Sequence, residues 1–180
     1  GHRWMDLSEP GRGLAVLDRA IYGRSIEHGT LGLTLLRASV FPDPQADRGS
    51  HHLRWALMPH AGDWRADGVD AEAESLTRPF REGTGGRAAP FTIETIGPVA
   101  VEIAAVKRSE DGRARIIRLV EKHGGHGTAV LRLAESGGAV SLRDCLERPI
   151  DDDGIVVDGN VVRVGLRPFG IVTIRVERTA

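Results

Sequence analysis

"VAVEIAAVKRSEDGRARIIRLVEKHGGHGTAVLRL", residues 99–133, decides the fold. Runs of alternating apolar and polar residues are separated by the short polar stretches "SEDG" and "GGHG". Alternation with a period of two sends successive side chains to opposite faces, the mark of a strand half-buried in a sheet. Asp111-Gly112 is a hairpin dipeptide because both residues tolerate positive φ. Downstream, "AVSLRDC", "GIVVDGN", "VVRVGLR" and "IVTIRVER" read the same way, with "ESGG" and "VDGN" as turns and Asp158-Gly159 as a second hairpin dipeptide. Seven short strands between Phe91 and the C-terminus, spaced about ten residues apart, predict a small antiparallel sandwich of immunoglobulin-like size.

Upstream of this block, "REGTGGRAAP" (residues 81–90) is rich in Gly, Arg and Ala and has no apolar periodicity, so it reads as a linker and as the first place a protease should cut. Before it, "RADGVDAEAESL" sets Val69, Ala73 and Leu76 at helical spacing, which predicts one short helix. Alternation then returns. "TLGLTLLR" (30–37) places Leu31, Leu33 and Leu35 on one face and Thr34 on the other. "HHLRWALMPH" (51–60) places Leu53, Trp55 and Leu57 on one face, with Trp55 read as core, and His52, Arg54 and Met58 on the other. "GLAVLDR" and "IYGRSIEHGTLGL" supply further short strands, "EHGT" being the hairpin turn. The loop between Ala38 and Ser50, with Pro42 and Pro44, is long enough to expect a functional role.

The 180 residues carry 24 basic and 25 acidic side chains, a formal net charge of -1, which argues against a polyanion-binding surface. No apolar run approaches the roughly 20 residues of a membrane-spanning helix, and no signal-peptide core opens the chain. Neither nucleic acid nor membrane is therefore an expected partner. Cys145 is the single cysteine, which excludes an internal disulfide or a thiolate metal cluster and fits a cytoplasmic setting. The opening "GHRWMDLSEP" has no initiator Met and reads as the interior of a longer protein.

Chemistry concentrates in "PDPQADRGSHHLRWALMPHAGDW" (42–64), which holds three His, three Asp and two Trp. A zinc site needs three or four ligands converging at about 2 Å. His51 and His52 point to opposite faces of a strand, so at most one could join His60, and no spacing constrains a carboxylate from Asp43, Asp47 or Asp63. The expectation is surface or turn-capping histidines. Asp43 and Asp47 could form a carboxylate pair about 5 to 10 Å apart for glycosidic chemistry, but turn geometry explains loop aspartates equally well. The Gly-rich runs lack the strand-to-helix setting of a phosphate loop, and Ser8, Ser25 and Ser39 lie in no nucleophile elbow. "DDDG" (151–154) reads as a solvated turn rather than a calcium loop. Aromatic residues are 4% of the chain, few for a module that stacks sugars on exposed rings.

Taken together, "DLSE", the "YGRS" turn, "LLR", "PDPQADRG" and "LMPHAGDW" resemble the late β region of family 38 glycoside hydrolases, the α-mannosidases, and are most similar to the branch with cytosolic and bacterial members. "RLVEKHGGHGTAVLRL" and "LRPFGIVTIRVE" resemble the final small sandwich of the same enzymes. The resemblance implies an all-β chain: residues 1–80 as part of a large β-sandwich, 81–90 as linker, 91–180 as the small sandwich, with one short helix between. It also implies hydrolysis of α-mannosides with retention by a zinc ion, an aspartate nucleophile and an acid–base aspartate, all in a preceding α/β barrel followed by a helical bundle. No cofactor and no catalytic residue is then expected in this chain; its partners are that barrel and bundle, and its substrate an α-mannoside. Its part would be to scaffold the enzyme and to wall the sugar pocket with one loop, for which Arg37, Asp47, Arg48 and His51 are the candidates. Arg37 would line the pocket or merely pair with Asp47 across the loop. The alternative is a free-standing carbohydrate-binding or structural β-sandwich module, which a glycan titration would reveal.

Overall fold

The computed structural model describes residues 2–78, 89–134, 138–151 and 154–178. The chain divides into two compact units, Gly1–Thr84 and Gly85–Ala180. The linker expected at 81–90 lies, over 81–88, outside the described residues, as do the central aspartates of "DDDG". No helix among the described residues is long and apolar enough to cross a membrane.

The first unit holds β1 (Trp4–Glu9), β2 (Arg12–Arg19), β3 (Gly23–Glu27), β4 (Thr30–Thr34), β5 (Arg54–His60) and α1 (Val69–Thr77). An antiparallel sheet runs β1-β2-β5, and β3 and β4 form a separate hairpin. Pro10-Gly11 closes the first hairpin with φ 85° at the glycine, the positive φ a type II turn demands after proline. At the predicted "EHGT" turn, His28 and Gly29 have φ 48° and 75°, positive at both central positions as a type I′ turn requires. One face of the sheet presents Ala15 and Leu17, flanked by Trp4, Ala56 and Met58, and α1 lies on it through Val69, Ala73 and Leu76. The small side chains let the helix approach closely. Asp70 and Glu72 in its first turn complement the helix dipole.

Two expectations fail here. On β5 it is Ala56, Met58 and His60 that point toward α1, while Trp55 and Leu57 are 50% and 57% exposed on the opposite face. Both faces of this strand are apolar, so alternation establishes the strand but not which side is core. The strand expected to run to Arg37 stops at Thr34, because its last partner is Gly23 and the chain before Gly23 turns away at Ala20, φ 66°.

Among its described residues the second unit is an eight-stranded sandwich: β6 (Phe91–Ile96), β7 (Val101–Arg108), β8 (Ala114–Glu121), β9 (Gly127–Leu133), β10 (Val140–Arg143), β11 (Ile155–Asp158), β12 (Val161–Leu166) and β13 (Ile171–Glu177). Antiparallel sheets β10-β13-β8-β7 and β11-β12-β9-β6 face each other. Ile117, Leu119, Leu142, Ile174 and Val176 from one sheet meet Phe91, Leu131, Val162, Val164 and Leu166 from the other. β6 is the strand missing from the seven read in the sequence. The β11–β12 loop is Gly159-Asn160, one position later than the Asp158-Gly159 pair, with φ 58° at the glycine.

Candidate functional site

The loop after β4 is organised by its own polar groups. Asp43 Oδ1 accepts the Gln45 N–H at 2.8 Å, the local turn expected of a loop aspartate, and the Arg48 N–H donates to the Gln45 carbonyl at 3.1 Å. Asp47 Oδ2 accepts the Ala38 N–H at 2.7 Å, and its carbonyl lies 2.9 Å from His51 Nε2. Asp47 thus ties both ends of the loop, but through backbone and imidazole groups. No ion pair joins it to Arg37 among the described residues. Of the four candidates, Asp47 and His51 meet directly. Arg37 and Arg48 are exposed neighbours of the residues so fixed. The same loop holds Val40 and Phe41 at 75% and 84% exposure. Two open depressions of about 580 and 480 Å³ lie in this unit, and none of the four candidates lines either.

Where a surface histidine was expected, His60 is buried, its side chain 1% exposed. Its Nε2 lies 2.7 Å from Asp6 Oδ1, and its Nδ1 3.6 Å from Asp67 Oδ2. The Asp6 hydrogen bond raises the imidazole pKa above its ordinary value, against the lowering effect of burial. Ser8 donates to the other oxygen of Asp6. A Cβ at Gly13, the cross-strand partner of His60, would overlap the ring. A second buried pair links Asp18 and Arg24, with Asp18 Oδ1 also accepting the Ile21 N–H at 2.9 Å. In the second unit, Glu121 is 1% exposed and gathers four backbone N–H groups: Ala100 and His123 on Oε1, Gly124 and Phe169 on Oε2. Burial alone would raise its pKa; the four donors outweigh that and push it down to about 2. These three clusters escaped the sequence reading. Their partners are up to 54 residues apart, as in His60 and Asp6, and only Asp6, Ser8 and Gly13 hinted at a polar row on one face.

In these clusters each carboxylate is already committed to backbone or side-chain donors, Asp6 to both Ser8 and His60. No three His, Cys, Asp or Glu side chains converge to hold a metal among the described residues, so the groups present do not fit a zinc ion.

A two-sheet sandwich preceded by a sheet-and-helix unit defines a mostly antiparallel β region with one short helix among its described residues. The sequence matches the Glycosyl hydrolases family 38 C-terminal domain over residues 1–45 and the Glycosyl hydrolases family 38 C-terminal beta sandwich domain over residues 100–174. The chain is homologous to the C-terminal region of the family 38 α-mannosidases. Over 179 residues it is 37% identical to Alpha-mannosidase 2C1 of Homo sapiens, covering 96% of this chain and 17% of that protein. Alpha-mannosidase G of Dictyostelium discoideum is 33% identical over 138 residues, 71% of this chain and 12% of its own length. Alpha-mannosidase of Saccharomyces cerevisiae is 27% identical over 199 residues, 97% and 18% respectively. The chain therefore spans less than a fifth of the length of these relatives.

Proposed function

We propose that this chain serves as the C-terminal β region of a zinc-dependent, retaining α-mannosidase of the cytosolic and bacterial branch. It scaffolds the enzyme and contributes one loop to the wall of the sugar pocket, with no turnover of its own. Its partners are the catalytic barrel and helical bundle of the same enzyme, and its expected compartment is the cytoplasm, which suits the exposed, unpaired Cys145.

The observation that carries this reading is the apolar face of the β1-β2-β5 sheet opposite α1. Leu7, Leu14, Trp55 and Leu57 are 37–57% exposed there, around the buried Met5 and Val16 of the same face. A scaffold that receives other parts of an enzyme needs such a face. The pocket role falls to Arg37 and Arg48. A guanidinium binds sugar hydroxyls or a carboxylate through two parallel hydrogen bonds, and the loop that carries these two is held in place by Asp47.

The test is Arg37→Ala and Arg48→Ala in the intact enzyme, with kcat/KM on an aryl α-mannoside measured beside Tm. A pocket arginine that meets the transition state should cost about 2 to 4 kcal/mol in kcat/KM and leave Tm in place. Near-normal kcat/KM in both variants would reduce the loop to scaffold. Mannoside binding by the 180-residue chain alone would favour an independent carbohydrate-binding module.

A further inference from the structure

His60 ends β5 on the face that α1 covers, and the chain turns immediately beyond it. Asp67 closes that turn, its Oδ2 accepting the Ala61 and Gly62 N–H groups at 2.6 and 2.9 Å. The turn also carries Trp64, whose ring packs against Trp4 with centroids 4.8 Å apart. It leads into Val69 and Ala73, the fully buried residues by which α1 covers the sheet. Whatever fixes residues 61–68 therefore fixes the seat of the helix.

The imidazole bridges two carboxylates from different elements. A neutral ring has one N–H. Placed on Nε2 it serves Asp6, but it leaves a buried lone pair on Nδ1, a nitrogen without a hydrogen-bond partner, 3.6 Å from the Asp67 carboxylate. Placed on Nδ1 it exposes Asp6 to the opposite fault. Only the imidazolium presents N–H to both, and only it offsets the charge of the buried Asp6 carboxylate while facing Asp67, whose side chain is 34% exposed. The charged groups facing the ring are Asp6 from β1 and Asp67 from the turn. β2 contributes Gly13, which has no side chain and no room for one, and Glu74 of α1 is engaged with Arg3 and Arg78.

We infer that protonated His60 is a pH-operated clasp, holding the 61–68 turn and α1 on the sheet and loosening them when it loses its proton. A group whose folded pKa is raised stabilises fully below its unfolded value, here the ordinary 6.5, and that stabilisation is lost as pH rises through the folded value. The helix is thus fastened in mildly acidic solution and slackened in alkaline solution.

Hydrogen exchange of the 180-residue chain from pH 6 to 9, corrected for intrinsic rates, reads this directly, with β8 of the second unit as internal reference. Protection over 61–77 should fall by up to about tenfold per pH unit between 6.5 and the folded pKa, while β8 holds. His60→Gln should give low, pH-independent protection of 61–77. Asp67→Asn, which removes the second carboxylate, should lower the His60 midpoint seen by NMR and flatten the pH dependence. The inference fails if wild-type protection over 61–77 ignores pH, or if the His60 midpoint is not above its ordinary value. It fails equally if Asp67→Asn leaves that midpoint where it was.

Discussion

Glu121 ends β8, and its carboxylate is enclosed by backbone from three loops: Ala100 after β6, His123 and Gly124 after β8, and Phe169 before β13. A single side chain thus replaces the pairing that those loop N–H groups lack. Because its pKa is pushed down to about 2, the stabilisation is present above the ordinary value near 4.5 and is lost as pH falls toward 2. Glu121→Gln keeps the shape but turns one acceptor oxygen into a donor that faces N–H groups. It should cost about 2 to 4 kcal/mol and remove this acid-labile component, read by chemical denaturation at pH 7 and pH 3. The sequence offers "LVEKHGG" for this residue, an acid after an apolar run, and gives no sign that it is buried. Its burial depends on Gly125, where a Cβ would strike the Pro98 carbonyl and keep the loops apart. His60 was hidden for the same reason. The pairing that makes it a buried cation is tertiary, and only the cross-strand Gly13 bears a local trace of it.

Strands and turns were legible because period-two alternation and positive-φ dipeptides are local properties; the inward face of β5 was not. Leu53, Trp55 and Leu57 together carry more apolar bulk than Ala56 and Met58, and bulk alone points the wrong way. The helix packs where Ala15, Ala56 and Ala73 leave room for its backbone, so the smaller set is buried. The candidate loop was partly legible: its Asp43 turn follows from residue type, whereas the choice of the Ala38 N–H over Arg37 as partner for Asp47 depends on where β4 loses its neighbour. β5 is an edge strand, and an edge with bare apolar side chains invites association. The double variant Trp55→Ser, Leu57→Ser should therefore change stability by less than about 1 kcal/mol, since little burial is lost, while reducing hydrophobic-dye binding and self-association. Val69→Ser, at a site with 0% exposure, should cost about 2 kcal/mol or more by lost transfer and an unmatched hydroxyl. Equal losses from the two changes would mean that the face opposite α1 is covered after all.

The two units differ in the shifted groups they contain. Five carboxylates of the second unit are held below their ordinary range: Glu121 by backbone donors against its burial, Asp111 and Glu177 chiefly by Arg175, Glu147 by Lys107, and Asp144 by the Arg148 backbone. Groups with depressed pKa stabilise above their unfolded values and fail in acid. In the first unit the pKa of His60 is raised, and its contribution fails in base. Lys107 in the second unit is raised above 10.5 and so stays charged at pH 9. All three tryptophans, at 4, 55 and 64, lie in the first unit, so intrinsic fluorescence follows that unit alone while far-ultraviolet circular dichroism follows both. Melting the chain at pH 3, 6 and 9 should then give two transitions that move in opposite senses. From pH 6 to 9 the fluorescence transition should fall in temperature and the dichroism component without a fluorescence counterpart should hold. From pH 6 to 3 that second component should fall further than the fluorescence transition does. Fluorescence and dichroism curves that superimpose at all three pH values would show that the units unfold as one, and that no separate acid and alkaline weaknesses exist in this chain.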